Sequence, residues 1–145
     1  PFCGYNMADY WNHWLSLKDK VKSLPAIFRV NWFRKDDNGK FMWPGFGQNM
    51  RVLKWIIDRV NGRGGAVESP FGCVPRFADL KWDGLSYPSD KFAKLMEIDK
   101  ADAIKELDDQ EHLFAKFDGR TPQGLLAQRQ QIRTRVEKAA DVWHP

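Results

Sequence analysis

Residues 31–49 read NWFRKDDNGKFMWPGFGQN, and this stretch decides how the first half of the chain is expected to fold. Large aromatic residues alternate with charged residues, glycine and proline along it. Asn38 and Gly39 form a strong signal for a tight turn, because both residue types tolerate positive φ. We therefore predict a hairpin in which a strand over residues 26–33 is followed by a short returning strand at residues 41–43.

Apolar residues recur with helical spacing before and after this hairpin in the sequence. This spacing predicts helices over residues 8–22 and 50–60, with Asn6 or Asp9 capping the first and Asn49 capping the second. An extended segment follows at residues 66–75. The later elements are predicted as a helix capped by Ser89, two short helices around Leu107 and Phe114, and a last helix from Thr121-Pro122 to about Trp143. The fold class is mixed α/β, with short strands or a hairpin and several helices.

Composition favours an ordinary globular domain. The chain has 145 residues, enough for one domain with a real core, and a net charge of +4 from 23 basic and 19 acidic residues. Cys3 and Cys73 are far apart and suggest neither a zinc site nor a disulfide framework. Without a disulfide framework a reduced, cytoplasmic location is expected, and because no apolar run is long enough to span a membrane no membrane partner is expected.

A self-sufficient active site is not visible in the sequence. His13, His112 and His144 have no metal-binding spacing, and no phosphate-binding loop of the type GxxxxGK[ST] is present. We therefore predict no catalytic residue and no metal ligand within these residues.

The segment that mixes aromatic residues with glycine has a chemistry of its own. A purine base needs apolar walls for its faces and a few hydrogen-bonding groups for its edge. Phe33, Phe41 and Phe46 can form such walls, and the amide of Asn49 carries both a donor and an acceptor. The same residues are also compatible with a plain hairpin core or with a patch that faces a protein partner.

Nucleic-acid binding is a further alternative. Its basis is the last helix, on which four basic side chains are expected to face outward: Arg129, Arg133, Arg135 and Lys138. The nearly balanced charge disfavours this alternative, and no nucleic-acid partner is expected.

Three stretches resemble one known family. Residues 27–62 read IFRVNWFRKDDNGKFMWPGFGQNMRVLKWIIDRVNG, which resembles the nucleotide-binding segment of the GTP-dependent phosphoenolpyruvate carboxykinases. Residues 1–17, PFCGYNMADYWNHWLSL, are similar to the stretch before that segment, and residues 66–75, AVESPFGCVP, to the one after it. The resemblance is specific over roughly residues 1–75 and weaker in the helices that follow.

The resemblance implies a function and a set of binding residues. The family converts oxaloacetate and GTP to phosphoenolpyruvate, GDP and CO₂ in gluconeogenesis. Phe33, Phe41 and Phe46 match its guanine pocket, and Phe46, Gly47, Gln48 and Asn49 match its guanine-contacting tetrapeptide, in which Asn49 reads the base edge. Gln48 departs from the family, which commonly has Glu at this position.

The resemblance also implies that most of the chemistry lies elsewhere. The chain starts without Met, so we expect residues 1–145 to be a single C-terminal region of a larger, monomeric enzyme. Within it, residues 1–75 would hold the guanine-binding segment and residues 76–145 a helical tail. The phosphate loop, the Mn²⁺ and Mg²⁺ ligands and the groups that bind oxaloacetate or phosphoenolpyruvate are expected upstream. The isolated region is expected to be inactive, and the alternative is a non-enzymatic interaction module that uses the exposed aromatic hairpin.

Overall fold

The computed structural model describes residues 2–145 and divides them into two compact units. One unit contains the described residues up to Pro25 together with Asp99–Asp141, and the other contains Ala26–Ile98 with Val142–Pro145. The subdivision after residue 75 that the family resemblance implies stays a prediction.

The secondary structure confirms the mixed α/β class. In the described part of the chain the helices are α1 (Met7–Lys20), α2 (Asn49–Val60), α3 (Ser89–Met96), α4 (Lys100–Ala115) and α5 (Gln123–Lys138). The strands are β1 (Val67–Ser69), β2 (Gly72–Val74), β3 (Ile98–Asp99) and β4 (Val142–Trp143), and short 3₁₀ helices lie at Phe46–Gln48 and Phe77–Asp79. Strands β1 and β2 form one antiparallel pair, with Val67 opposite Val74, and β3 pairs with β4.

The predicted strand over residues 26–33 is wrong. Strand pairing requires a neighbouring strand, and within residues 2–145 this segment pairs with none; it has no regular secondary structure and is largely exposed. The hairpin survives only as a single bridge between Lys35 and Phe41. Its turn is closed by a hydrogen bond of 2.9 Å from the N–H of Gly39 to the carbonyl of Asp36, and of the two turn residues only Gly39 has positive φ.

Several predicted helix boundaries are also wrong. The two short helices around Leu107 and Phe114 are one continuous helix, α4, because Asp99 caps a pattern that has no internal breaker. Ser89 is the first residue of α3 and makes no capping contact. The last helix, α5, ends at Lys138 rather than near Trp143.

Helices α4 and α5 pack together in the first unit. Leu107 and Val136 are almost fully buried there. Arg129 donates from Nε to the carbonyl of Leu107 at 3.0 Å and from Nη2 to Glu111 at 2.7 Å, and Arg133 pairs with Asp108. The prediction that these two arginines face outward is therefore wrong, since carboxylates of α4 hold them against the neighbouring helix.

The second unit has an aromatic core that supports α2. Trp55, on α2, is buried with Leu80, Tyr87 and Phe92. Its indole N–H donates to the carbonyl of Gly65 at 2.8 Å, which joins the helix to the chain after its end. This packing fixes the start of α2, where the predicted binding residues lie. None of the helices in the described residues is long and apolar enough to cross a membrane.

Candidate functional site

The large side chains of the hairpin differ strongly in how far they are exposed to solvent. Phe33 and Phe41 are 70% and 50% exposed, whereas Met42 and Trp43 are only 4% and 5% exposed. The exposed rings lie beside each other, with centroids 6.1 Å apart and planes at 63°. The amine of Lys35 lies 5.2 Å from the centroid of the Phe41 ring. Two of the predicted wall residues therefore form one exposed pair.

The buried side of the hairpin explains why this pair stays exposed. The ring of Trp43 lies 6.4 Å from the rings of Trp82 and Tyr87. The hydroxyl of Tyr87 donates to the carbonyl of Met42 at 2.8 Å, and burial raises the pKa of this phenol, so the donor keeps its proton well into the alkaline range. The Met42 carbonyl is thus held by Tyr87 and the Trp43 ring by the aromatic cluster, which anchors this side of the hairpin while the neighbouring Phe41 ring stays exposed.

Gly45 turns the chain from the hairpin into the start of α2. Its φ of 109° and ψ of −179° lie in a region that is essentially restricted to glycine. The following residue, Phe46, is 92% exposed. Within residues 2–145 its ring has no aromatic neighbour. The structure thus brings Phe33 and Phe41 together, while Phe46 stands apart from them on its own element.

Gly47 has a different role from Gly45. Its φ is not positive, and a Cβ added to it would meet no protein atom within 4 Å. Neither backbone strain nor packing within the chain accounts for glycine here. A glycine in open space next to an exposed phenylalanine leaves room for another molecule to approach the backbone closely.

The amide of Asn49 is not the helix cap that the sequence predicts. Asn49 is the first residue of α2, and Gln48 occupies the N-cap position without making a side-chain capping hydrogen bond. The Oδ1 atom of Asn49 instead accepts a hydrogen bond of 2.8 Å from the indole N–H of Trp43. The capping prediction is wrong because this oxygen accepts from the indole of Trp43 on the hairpin and not from a backbone N–H of the helix.

The side chain of Gln48 points toward the protein. Its Oε1 accepts from Nε of Arg51 at 2.7 Å, and Arg51 also donates to the carbonyls of Lys81 and Asp83. Gln48 thus helps to hold the loop around Asp83 against α2. Sequence reasoning missed both Trp43 and Arg51, although a buried indole N–H always signals the need for an acceptor nearby.

The backbone before α2 offers two donors. The N–H groups of Gln48 and Asn49 are used, because they donate to the carbonyls of Gly45 and Phe46. Those of Phe46 and Gly47 precede them at the start of the helical segment, where backbone donors have no partner within the helix. Together with the Asn49 amide they are the polar groups that the segment around the exposed Phe46 offers.

Across the residues that the structure describes, no group of three or more His, Cys, Asp or Glu side chains is arranged to hold a metal ion. The candidate site therefore consists of aromatic surface, amide and backbone groups.

Comparison with known proteins gives one consistent result. A family model described as phosphoenolpyruvate carboxykinase C-terminal P-loop domain matches residues 1–135. Proteins named phosphoenolpyruvate carboxykinase [GTP] from Neocallimastix frontalis and Treponema pallidum are 44% and 43% identical to the chain over 96% and 94% of its length. The protein of that name from Anaeromyxobacter sp. strain K is 42% identical over 98% of the chain. The chain spans 22% to 24% of the length of these relatives.

Proposed function

This chain belongs to the phosphoenolpyruvate carboxykinase C-terminal P-loop domain family, and on that premise we propose that it is the guanine-binding part of a GTP-dependent phosphoenolpyruvate carboxykinase. The complete enzyme, a decarboxylating lyase of gluconeogenesis, would convert oxaloacetate and GTP to phosphoenolpyruvate, GDP and CO₂. We further propose that it works in the cytoplasm as a monomer.

The observation that carries the proposal is the exposure of Phe33, Phe41 and Phe46. These benzyl groups are 50% to 92% exposed, while Met42 and Trp43 beside them are buried. Each large aromatic residue can bury 150–250 Å², so leaving three of them in water forgoes substantial stabilisation unless a ligand covers them. A flat purine base is a suitable ligand, because its two faces need apolar contacts.

The start of α2 supplies polar groups for the edge of that base. The side chain of Asn49 and the backbone at Phe46 and Gly47 would make the hydrogen bonds, and the open space at Gly47 would allow the base to come close. Gln48 would contribute little to the hydrogen bonds with the base, because its N–H donates to the carbonyl of Gly45 and its side chain is engaged by Arg51. The departure from the family's Glu is then expected to matter little for binding.

This chain would contribute to catalysis by positioning the nucleotide. Holding the base fixes where the γ-phosphate of GTP lies relative to the acceptor, which lowers the entropic part of the barrier. Mn²⁺ and Mg²⁺ would neutralise the charge of the phosphoryl group in the complete enzyme. Their ligands, the phosphate loop and the groups that bind oxaloacetate are proposed to lie outside these residues.

Replacement of Phe46 by alanine in the full-length enzyme tests this function. Stacking on one aromatic side chain contributes about 1–3 kcal/mol per base, so Phe46→Ala should raise the dissociation constant for GTP about tenfold or more. Its unfolding should be unchanged, because the ring is 92% exposed. Phe71→Ala is the matched control, since this phenylalanine is also exposed and lies in the turn between β1 and β2. Equal GTP binding by wild type and Phe46→Ala would contradict the proposal.

A protein-interaction module is the second candidate. The observation in its favour is the exposure of three apolar side chains in the segment that leads into the hairpin: Ile27, Val30 and Phe33. This second function predicts that a protein partner, and not GTP, buries these side chains. Sedimentation velocity with candidate partners tests this function, and a titration with GTP followed by tryptophan emission tests the first.

A further inference from the structure

We propose that Trp43 is a positioning residue that determines which end of the Asn49 amide faces the base, and thereby makes the pocket select an oxygen at the sixth position of the purine. This inference rests on the proposed function and specifies how its site distinguishes guanine from adenine. It assigns a role in specificity to a buried residue that the base does not touch.

The orientation of the Asn49 amide follows from the chemistry of its partner. An indole Nε1–H can only donate a hydrogen bond, so the amide must direct its oxygen, and not its NH₂ group, toward Trp43. The distance of 2.8 Å between Nε1 and Oδ1 is that of a good hydrogen bond. Because the carboxamide is planar, its NH₂ group then points to the other side, and Asn49 presents a donor.

Trp43 is held firmly enough to impose this orientation. It is 5% exposed and lies against Trp32, Trp82 and Tyr87. The preceding carbonyl, that of Met42, is fixed by the Tyr87 hydroxyl. Rotation of the Asn49 amide would place its NH₂ group against the indole N–H and leave this buried donor without an acceptor. The packing of the indole opposes a shift that would relieve this contact.

A fixed donor distinguishes the two purines at one atom. Guanine carries the acceptor O6 at the position where adenine carries an amine. The NH₂ group of Asn49 can donate to O6, but it meets the amine of adenine as donor against donor. An amide that is free to turn could serve either base equally well. The selectivity of the site therefore depends on the N–H of Trp43 as well as on Asn49.

The decisive experiment compares two nucleotides in the full-length enzyme. One is GTP and the other is the triphosphate of diaminopurine riboside, which keeps the exocyclic amine of guanine, carries a second amine in place of O6 and has no hydrogen on N1. The ratio of their dissociation constants is measured for the wild type and for Trp43→benzothienylalanine, in which sulfur replaces the indole N–H within the same two-ring shape. We expect the preference for GTP to fall by about tenfold, which corresponds to one hydrogen bond to the base edge.

Trp82→benzothienylalanine is the matched control. Trp82 lies in the same aromatic cluster, and its N–H donates at 2.8 Å to the carbonyl of Phe77. This variant loses an equivalent hydrogen bond and should keep the nucleotide ratio of the wild type. A general loosening of the core would change both variants alike and would overturn the inference.

Asn49→Asp provides a second test that does not disturb Trp43. A carboxylate can accept from the indole with one oxygen and present its other oxygen to the base, so the outward donor becomes an acceptor. The ratio should then invert in favour of diaminopurine, and comparison of two triphosphates cancels the effect of the added charge. If the wild type binds GTP tightly but neither variant changes the ratio, the inference is wrong and the proposed function stands. If the wild type shows no binding of guanine nucleotides, the proposed function is wrong as well.

Discussion

The indole N–H of Trp43 donates to Oδ1 of Asn49 over 2.8 Å, and this bond joins the end of the hairpin to the first residue of α2. Only Pro44 and the segment at residues 45–48 lie between the two residues in the chain. The bond thus closes a small loop that carries the exposed ring of Phe46 and the open backbone of Gly47. Changes to either residue are expected to affect both stability and binding.

Asn49→Ala removes the acceptor of this bond and the group proposed to read the base edge. We expect the Michaelis constant for GTP to rise and the preference for GTP over ATP to weaken, each by about 1–3 kcal/mol. The free energy of unfolding should also fall, because the indole N–H of Trp43 loses its partner. Steady-state kinetics with both nucleotides and urea unfolding measure these effects. Asn61→Ala, at the other end of α2, is the control, and an unchanged preference in Asn49→Ala would count against the assignment.

Gly47→Ala should separate binding from stability. A Cβ at this position meets no protein atom, so the free energy of unfolding should change by less than about 0.5 kcal/mol. The added methyl group would occupy the space proposed for the base, so the dissociation constant for GTP should rise. Titration calorimetry and thermal unfolding give the two quantities. Unchanged GTP affinity would show that no base approaches this backbone.

Gly65→Ala is expected to show the opposite behaviour and serves as the contrast. A Cβ there would lie 2.2 Å from Oδ1 of Asp79, which is too close for any real contact. The ion pair between Asp79 and Arg76 would have to move, at a cost of about 1–3 kcal/mol in the free energy of unfolding. Tolerance of this change without loss of stability would contradict the tight packing seen around Asp79.

Gln48→Glu restores the residue that the family commonly has and should leave nucleotide preference unchanged. The side chain accepts from Nε of Arg51 at 2.7 Å, and a carboxylate would make this contact an ion pair. Because the pair is partly exposed, the gain in stability should be below about 1 kcal/mol. Kinetics with GTP and ATP provide the measurement. A shift of about tenfold in the GTP preference would show that the side chain, and not the backbone alone, senses the base.

Acid should weaken the turn at Arg76 and Asp79. Hydrogen bonding from Arg76 lowers the pKa of the Asp79 carboxyl below its ordinary value of 3.8. The folded form therefore binds this proton less readily than the unfolded form, so the contribution is complete above pH 3.8 and is lost as the pH falls below that value. Asp79→Asn should show a weaker dependence of the urea midpoint on pH in this range. Asp83→Asn, on the exposed loop, is the control, and parallel curves for Asp79→Asn and wild type would refute the prediction.

Local patterns in the sequence predicted the helices well. Helices α1 and α2 lie within two residues of their predicted ends because their apolar spacing and flanking polar residues are local signals. Asn6 caps α1 as predicted, with Oδ1 2.9 Å from the N–H of Ala8. The predicted split of α4 into two short helices is wrong, because no glycine or proline interrupts residues 100–115.

Non-local contacts set the limit of what the sequence could predict. A strand over residues 26–33 has the right composition, but strand formation depends on a partner that composition does not reveal. Asn49 has the right identity and position for a cap, yet its oxygen is taken by Trp43 across the loop. The exposure of the three phenylalanines was likewise not predictable from residue type, since phenylalanine in a hairpin is usually core.

The exposed segment at residues 26–33 has a consequence for handling the 145-residue chain by itself. The side chains of Ile27, Val30 and Phe33 are exposed, and apolar side chains in water favour association with a second copy. Self-association should rise with concentration, and Ile27→Lys should suppress it by replacing an apolar side chain with a charge.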